Sequence, residues 1–205
     1  YEFSATGQYV ETNFNGTQVN DDIYDAFTNH ITIEKLKGPL NEEVTLHRPF
    51  AQINIGTSDY KEAAAAGLTV ENVSVTMPSY TALSLVSMAV GSVVDGKFVA
   101  VPATEESLPV TIAYAHAPVP SAADYTFPID GYKYLTMNYV LVPEKRTNVN
   151  IQLNVNGSKW ITFNNVPVAR NHRTNIYGSL LTNPAEFTVI IDNKFTGDLP
   201  FTPKD

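Results

Sequence analysis

The stretch NVNIQLNVNG, Asn148 to Gly157, leaves its chain few options. Val149, Ile151, Leu153 and Val155 fall on one face, with Asn150, Gln152 and Asn154 on the other. Side chains alternate across a strand with period two, so this reads as a strand with one buried face. The Asn156-Gly157 pair that follows is the strongest short-range hairpin signal. The returning segment then fixes the register. A two-residue turn would set Leu153 against Trp160 and turn Ile161 and Phe163 away from Ile151 and Leu153. Slipping by one residue reunites Leu153 with Ile161 and Ile151 with Phe163, and such a slip moves every side chain to the other face. The sequence therefore predicts a three-residue loop, Asn156 to Ser158, with or without a bulge.

Most other segments also read as strands between turn residues. ITIEKL (31–36) and VTLHRPFAQINIG (44–56) alternate; in the second, Phe50, Gln52 and Asn54 oppose Ala51, Ile53 and Ile55. Pro49 cannot donate a ladder hydrogen bond and marks an edge position or a bulge. LTVENVSVTM (68–77) changes phase at Glu71-Asn72, which predicts a bulge. Asp95-Gly96 predicts a second hairpin. LPVTIAYA, YKYLTMNYVLV and AEFTVIIDNKF complete the set. The clearest helix is SDYKEAAAAGL: Asp59 in capping position, Glu62 three residues on, an alanine run, and Gly67 to end it. Ala63 and Ala66, three apart, face one way and permit close packing. NDDIYDAF (20–27) is a candidate for one more turn. Frequent strands with few helices specify an all-β sandwich with one or two short helices. The loops around 34–43 and 116–131 are rich in Pro, Gly and acids, and the second is long enough to be an exposed excursion.

With 205 residues, one large β domain or two small ones can bury a core. There are 13 Lys+Arg against 21 Asp+Glu, a net charge of −8. That balance opposes nucleic acid and anionic membranes as partners, since both need a basic face. The absence of cysteine removes disulfides, thiolate metal sites and a Cys nucleophile from this chain. No apolar run approaches the roughly 18–20 residues of a membrane span. The chain begins at Tyr1 without a visible signal peptide, which fits a processed or trimmed N-terminus.

Little in the sequence points to catalysis or a cofactor. His30, His47, His116 and His172 are scattered, and no HExxH, P-loop or GxSxG occurs. The acidic pairs Asp21-Asp22, Glu42-Glu43 and Glu105-Glu106 sit in expected turns, pointing apart. DNKFTGD (192–198) lacks the alternating ligands of a calcium loop. The sequons at Asn15, Asn72 and Asn156 are of a kind that arises by chance. ARNHRTN (169–175) gathers three cations, but no glycine-rich nest or helix N-terminus accompanies them. It is expected to be scaffold: an outer strand face with Arg170, His172 and Thr174 on one side and Asn171, Arg173 and Asn175 on the other, paired with acids.

Two stretches carry a resemblance. VTLHRPFAQINIG looks like the R-x-x-A-x-hydrophobic strand of Bacteroidales fimbrillins and fimbrillin-like proteins. VPVARNHRTNIYGSLLT followed by FTVIIDNKF resembles the Arg-Asn segment before their last strand. The resemblance implies transthyretin-like Greek-key sandwich domains, export as a lipoprotein to the outer membrane, and a surface pilin assembled by strand donation. On that reading residues 1–57 are the C-terminal part of a truncated N-terminal pilin-type β domain, and 58–205 a C-terminal β-sandwich, the two packing together or apart.

The function expected is that of a structural or adhesive fimbrial subunit, not an enzyme, without metal or cofactor. Its expected partners are other fimbrial subunits and surface glycans or proteins. The candidate interface strand lies near the C-terminus, where Phe187, Val189 and Ile191 are the expected buried anchors, either closing their own sandwich or docking on a neighbour. The alternative is a cell-surface carbohydrate-binding sandwich with an exposed aromatic platform. Its candidates are Trp160, which inside a strand reads first as a core or hairpin aromatic, and the tyrosines of 125–139. A glycoside hydrolase would need two convergent carboxylates, which the sequence does not offer.

Overall fold

The computed structural model describes residues 2–3, 9–11, 27–31, 43–101, 108–115 and 126–192, with 2–3, 10 and 108–115 described by backbone alone. The strands in chain order are β1 (Glu2–Phe3), β2 (Tyr9–Glu11), β3 (Phe50–Thr57), β4 (Asn72–Ser79), β5 (Ala82–Ser84), β6 (Val90–Val94) and β7 (Lys97–Ala100). They continue with β8 (Leu108–Ala115), β9 (Lys133–Leu141), β10 (Thr147–Val155), β11 (Lys159–Val168), β12 (Arg173–Gly178) and β13 (Phe187–Asp192). One α-helix among the described residues, α1 (Tyr60–Ala65), follows β3.

Two four-stranded sheets form the sandwich, in the orders β13-β12-β3-β9 and β11-β10-β4-β8. Their inner faces meet in one core. Ala51, Ile53, Ile55 and Ile176 come from the first sheet, and Val75, Met77, Ile151, Leu153 and Phe163 from the second. Full burial of each large apolar side chain is worth about 1.5–3 kcal/mol, so these positions dominate stability. β3 and β12 run parallel; the other pairs in both sheets are antiparallel. A third sheet, β1-β2-β5-β6-β7, packs Leu83 and Val90 against Phe50, Tyr139 and Leu141 on the far side of the first sheet. The fold is an all-β sandwich, as the strand spacing implies. Residue 57, after which a boundary is expected, is the last residue of β3, an inner strand between β12 and β9.

The β10–β11 register pairs Leu153 with Ile161 and Ile151 with Phe163, leaving Asn156 to Ser158 as the loop. Asn156 and Gly157 take φ of 55° and 72°, left-handed values that suit these two residue types. The bulge lies further along, between Val149 and Ile151, where Asn150 Oδ1 accepts from Asn165 N at 3.0 Å. Val94 opposes Lys97 across Asp95-Gly96, the second expected hairpin.

Three local expectations need correction. No bulge sits at Glu71-Asn72. β4 begins there because Asn156 reaches across: its Oδ1 accepts from Glu71 N and Asn72 N, and its Nδ2 donates to Thr69 O. The helix forms, and Asp59 occupies its N-cap position without making a side-chain cap. The Asp59 carboxylate turns the other way, toward Thr57, Leu181 and Thr182. Only Ala63 of the alanine pair is buried; Ala66 faces solvent. The turn expected at 20–27, the strand expected at 31–36 and the calcium-like 192–198 segment lie largely outside the described residues.

Candidate functional site

The basic cluster is a clamp. Residues 169–172 form a turn, closed by His172 N donating to Ala169 O at 3.2 Å, with Asn171 at φ 55°. The His172 ring bonds Arg170 O at 2.5 Å, and Arg170 Nε donates to Val142 O at 2.9 Å. Burial lowers the Arg170 pKa, while Glu144 acts in the opposite direction. The expected outer strand face does not exist at 169–172, because these residues turn. Beyond them Thr174 and Asn175 are buried, not exposed.

The clamp joins the two stretches that carried the family resemblance. Arg48 Nη1 donates to Asn171 Oδ1 at 3.1 Å, Asn171 N to Phe50 O at 2.9 Å, and Gln52 N to His172 O at 3.0 Å. Arg173 Nε donates to Gln52 Oε1 at 2.8 Å, and Asn54 Nδ2 to Asn175 Oδ1 at 2.8 Å. Gln52 Nε2 bonds Tyr139 Oη at 3.0 Å. These polar bonds fix the parallel register of β3 and β12 on the side away from the main core. The sequence showed the alternation of Gln52 and Asn54 but not that their face is covered. Further along that face, Phe127 packs against Gly56: a Cβ there would lie 2.5 Å from the Phe127 ring. Tyr134 meets Phe127 edge-on, with ring centroids 4.9 Å apart.

A second clamp holds the end of β3. Burial alone would raise the Asp59 pKa. Hydrogen bonds from Thr57, from the Thr182 side chain, and from the backbone N–H groups of Thr182 and Leu181 outweigh it and hold the carboxyl below its ordinary range. Beside it, Tyr60 donates to Tyr134 O at 2.8 Å, and burial, then the Asp59 charge, raises its pKa. Tyr60, Ala64, Leu68, Thr69, Val70 and Lys133 line a shallow groove of about 320 Å³ next to α1.

The expected interface strand lies on an edge. β13 pairs antiparallel with β12 and closes its own sandwich. Phe187, Val189 and Ile191 alternate inward as expected, though they are half-buried rather than fully buried anchors. Phe187 stands edge-on to Phe163, with centroids 4.9 Å apart. Ile190 points outward and is 41% exposed.

The aromatic candidates separate. Tyr134 and Tyr139 are buried and Tyr132 is half-buried against Tyr177, so these tyrosines form no surface platform. Tyr125 lies outside the described residues. Trp160 is 62% exposed on the outer face of β11, not a core aromatic. The signal was present in the sequence, because the inward phase of Ile161 and Phe163 turns Trp160 outward. Among the described residues, no group of His, Asp and Glu is arranged to hold a metal ion.

Fold and surface together define an all-β sandwich whose basic cluster is structural. The family described as "Family of unknown function (DUF6562)" matches residues 6–203, and the chain belongs to that family. No curated protein matches it. A solved structure of a "putative cell adhesion protein" from Bacteroides ovatus is similar at 14% identity and a TM-score of 0.36, covering 73% of this chain and 46% of that one. One from Bacteroides uniformis, described in the same words, is similar at 14% identity and a TM-score of 0.36, covering 72% of this chain and 52% of that one. The chain thus spans about half the length of these proteins.

Proposed function

We propose that the chain is a structural and adhesive unit of the bacterial cell surface, a fimbrillin-like subunit joined to its neighbours by β-strand addition. It works by binding and assembly, without catalysis and without a metal or cofactor, and its partners are other subunits and surface glycans or proteins. It reaches the outer membrane as a lipoprotein precursor. The observation that carries the reading is β13. It is the last strand among the described residues and lies on a sheet edge, held by side chains that alternate inward and are only half-buried. In strand addition, main-chain hydrogen bonds supply affinity while alternate side chains fill pockets. Phe187, Val189 and Ile191 have that spacing, and the slot they fill beside β12 is one that an equivalent strand from a neighbour also fits. The pairing of Arg48 and Gln52 with Asn171 and Arg173 adds support, because it makes the two resemblance segments one structural unit.

The test uses the complete, processed protein. Residues 186–205 are deleted and polymerisation is followed by electron microscopy. The reading expects a folded body that forms no fibres. Normal fibres from a stably folded deletion would reject the donor role of β13.

A further inference from the structure

The outward residues of β4, β10 and β11 carry no charge, in a chain with 17% charged residues and a net charge of −8. Apart from Pro78 and Pro167, these outward residues are amides and hydroxyls with one large aromatic. Trp160 opposes Asn154, which opposes Ser74, in one row across three strands. Thr162, Gln152 and Thr76 form the next row. Such rows are spaced roughly 5 Å across the strands and 7 Å along them, so one indole has several neutral hydrogen-bonding groups around it.

A second observation falls in the same row. Asn154 is 3% exposed, and its Oδ1 finds no hydrogen-bond donor among the described residues. Its neighbour on the same face, Gln152, is exposed. A buried acceptor without a donor is uncommon; Asn54 Oδ1, inside the first sheet, is another, and the one on Asn154 lies beside the exposed indole.

The chemistry narrows the occupant. Among the described residues, the outward positions of these strands offer no cation to a phosphate or a sialic acid and no carboxylate to a basic peptide. A protein interface of ordinary size needs a larger apolar centre than one indole. An uncharged, ring-shaped molecule with an apolar face and a rim of hydroxyls meets all the terms: its C–H face lies on the indole, and its hydroxyls bond the amides and the unpaired acceptor. We propose that the outward face of β4, β10 and β11 docks a neutral glycan stacked on Trp160, with Asn154 accepting one of its hydroxyls. The proposal rests on the surface-adhesion reading above and names its ligand class.

The chain has a single tryptophan, so its fluorescence reports on this face alone. The full chain is titrated with three neutral probes, the hexasaccharides of chitin, α-mannan and laminarin, and with sialyllactose as a charged control. At least one neutral probe is expected to shift the emission, with an affinity indifferent to salt. Calorimetry should show Trp160→Ala weakening that affinity about tenfold or more, as for an aromatic anchor, while Trp160→Phe keeps most of it. Asn154→Val should weaken binding and raise Tm together, a combination that a purely structural asparagine does not give. The proposal is overturned if no neutral probe binds, if Trp160→Ala binds as well as the parent, or if only sialyllactose binds. Beads coated with the parent and with Trp160→Ala, applied to a mucin layer, separate the two readings. Parent beads alone adhering supports the proposal. Equal adhesion rejects the glycan face and leaves the adhesive role standing; adhesion by neither rejects both.

Discussion

β3 and β10 carry nearly the same pattern, Ala51-Gln52-Ile53-Asn54-Ile55 against Ile151-Gln152-Leu153-Asn154-Val155. Their apolar residues enter one shared core. Their polar residues part company. Gln52 and Asn54 are 3% and 0% exposed and are bonded to Arg173, Tyr139 and Asn175. Gln152 is in solvent, and Asn154 is buried beside an exposed tryptophan; its Oδ1, like that of Asn54, finds no donor among the described residues. Alternation therefore tells which face of a strand is apolar. It does not tell whether the other face will be covered, because the covering groups come from more than 80 residues away.

The largest effects should be the same in both strands. Ile53→Ala and Leu153→Ala each remove a fully buried side chain from the common core, at an expected cost of about 2–5 kcal/mol in urea unfolding. If one costs far less than the other, the two sheets do not share one core. The polar positions should then diverge. Asn54→Ala strands the buried Asn175 acceptor and is expected to cost about 1–3 kcal/mol. Gln152→Ala, on the bare face, should stay within about 0.5 kcal/mol. Equal costs would end the distinction between a covered and an uncovered face.

The loops beside the two strands differ in their response to acid. The Asp59 carboxylate anchors the end of β3, while uncharged Asn156 anchors the end of β10. The folded pKa of Asp59 lies below its ordinary value of 3.8, so its stabilising effect is complete above that pH and fades as pH falls through the folded value. Asp59→Asn should be less stable than the parent at neutral pH, with the gap closing below pH 3.8. Asn156→Ala should lower stability by an amount that does not change across the same range. Parallel pH curves for the parent and Asp59→Asn would show that the carboxylate does not act through its charge. The smallest effect belongs to Trp160→Ala, which should shift stability by no more than about 0.5 kcal/mol, since its side chain is mostly in water.

The features legible in the sequence are those decided by neighbours a few residues away. The phase of Ile151, Leu153, Ile161 and Phe163 gave the three-residue loop, Asp95-Gly96 gave its hairpin, and the alanine run gave α1. The features that were not legible depend on distant partners. Asp59 stands where a cap belongs, but Thr57, Leu181 and Thr182 offer it more donors than the helix start does. The phase change at Glu71-Asn72 reads as a bulge in sequence, but it marks the start of β4, which is set by the distant Asn156 side chain. The basic cluster reads as a surface feature because Arg48, Gln52 and Asn54, which lie opposite it, are 121 to 123 residues away from their partners. Trp160 is the intermediate case: its outward phase is readable, and only the identity of the residues around it requires the fold.

Hydroxyl-radical footprinting of the native chain, read by mass spectrometry, tests the asymmetry between the two sheets most directly. Trp160 should be labelled heavily in the folded protein. Met137 and Tyr139, each 2% exposed on the covered face of the first sheet, should be protected until the chain unfolds. Protection of Trp160, or labelling of Met137 and Tyr139 at a comparable rate, would contradict the account.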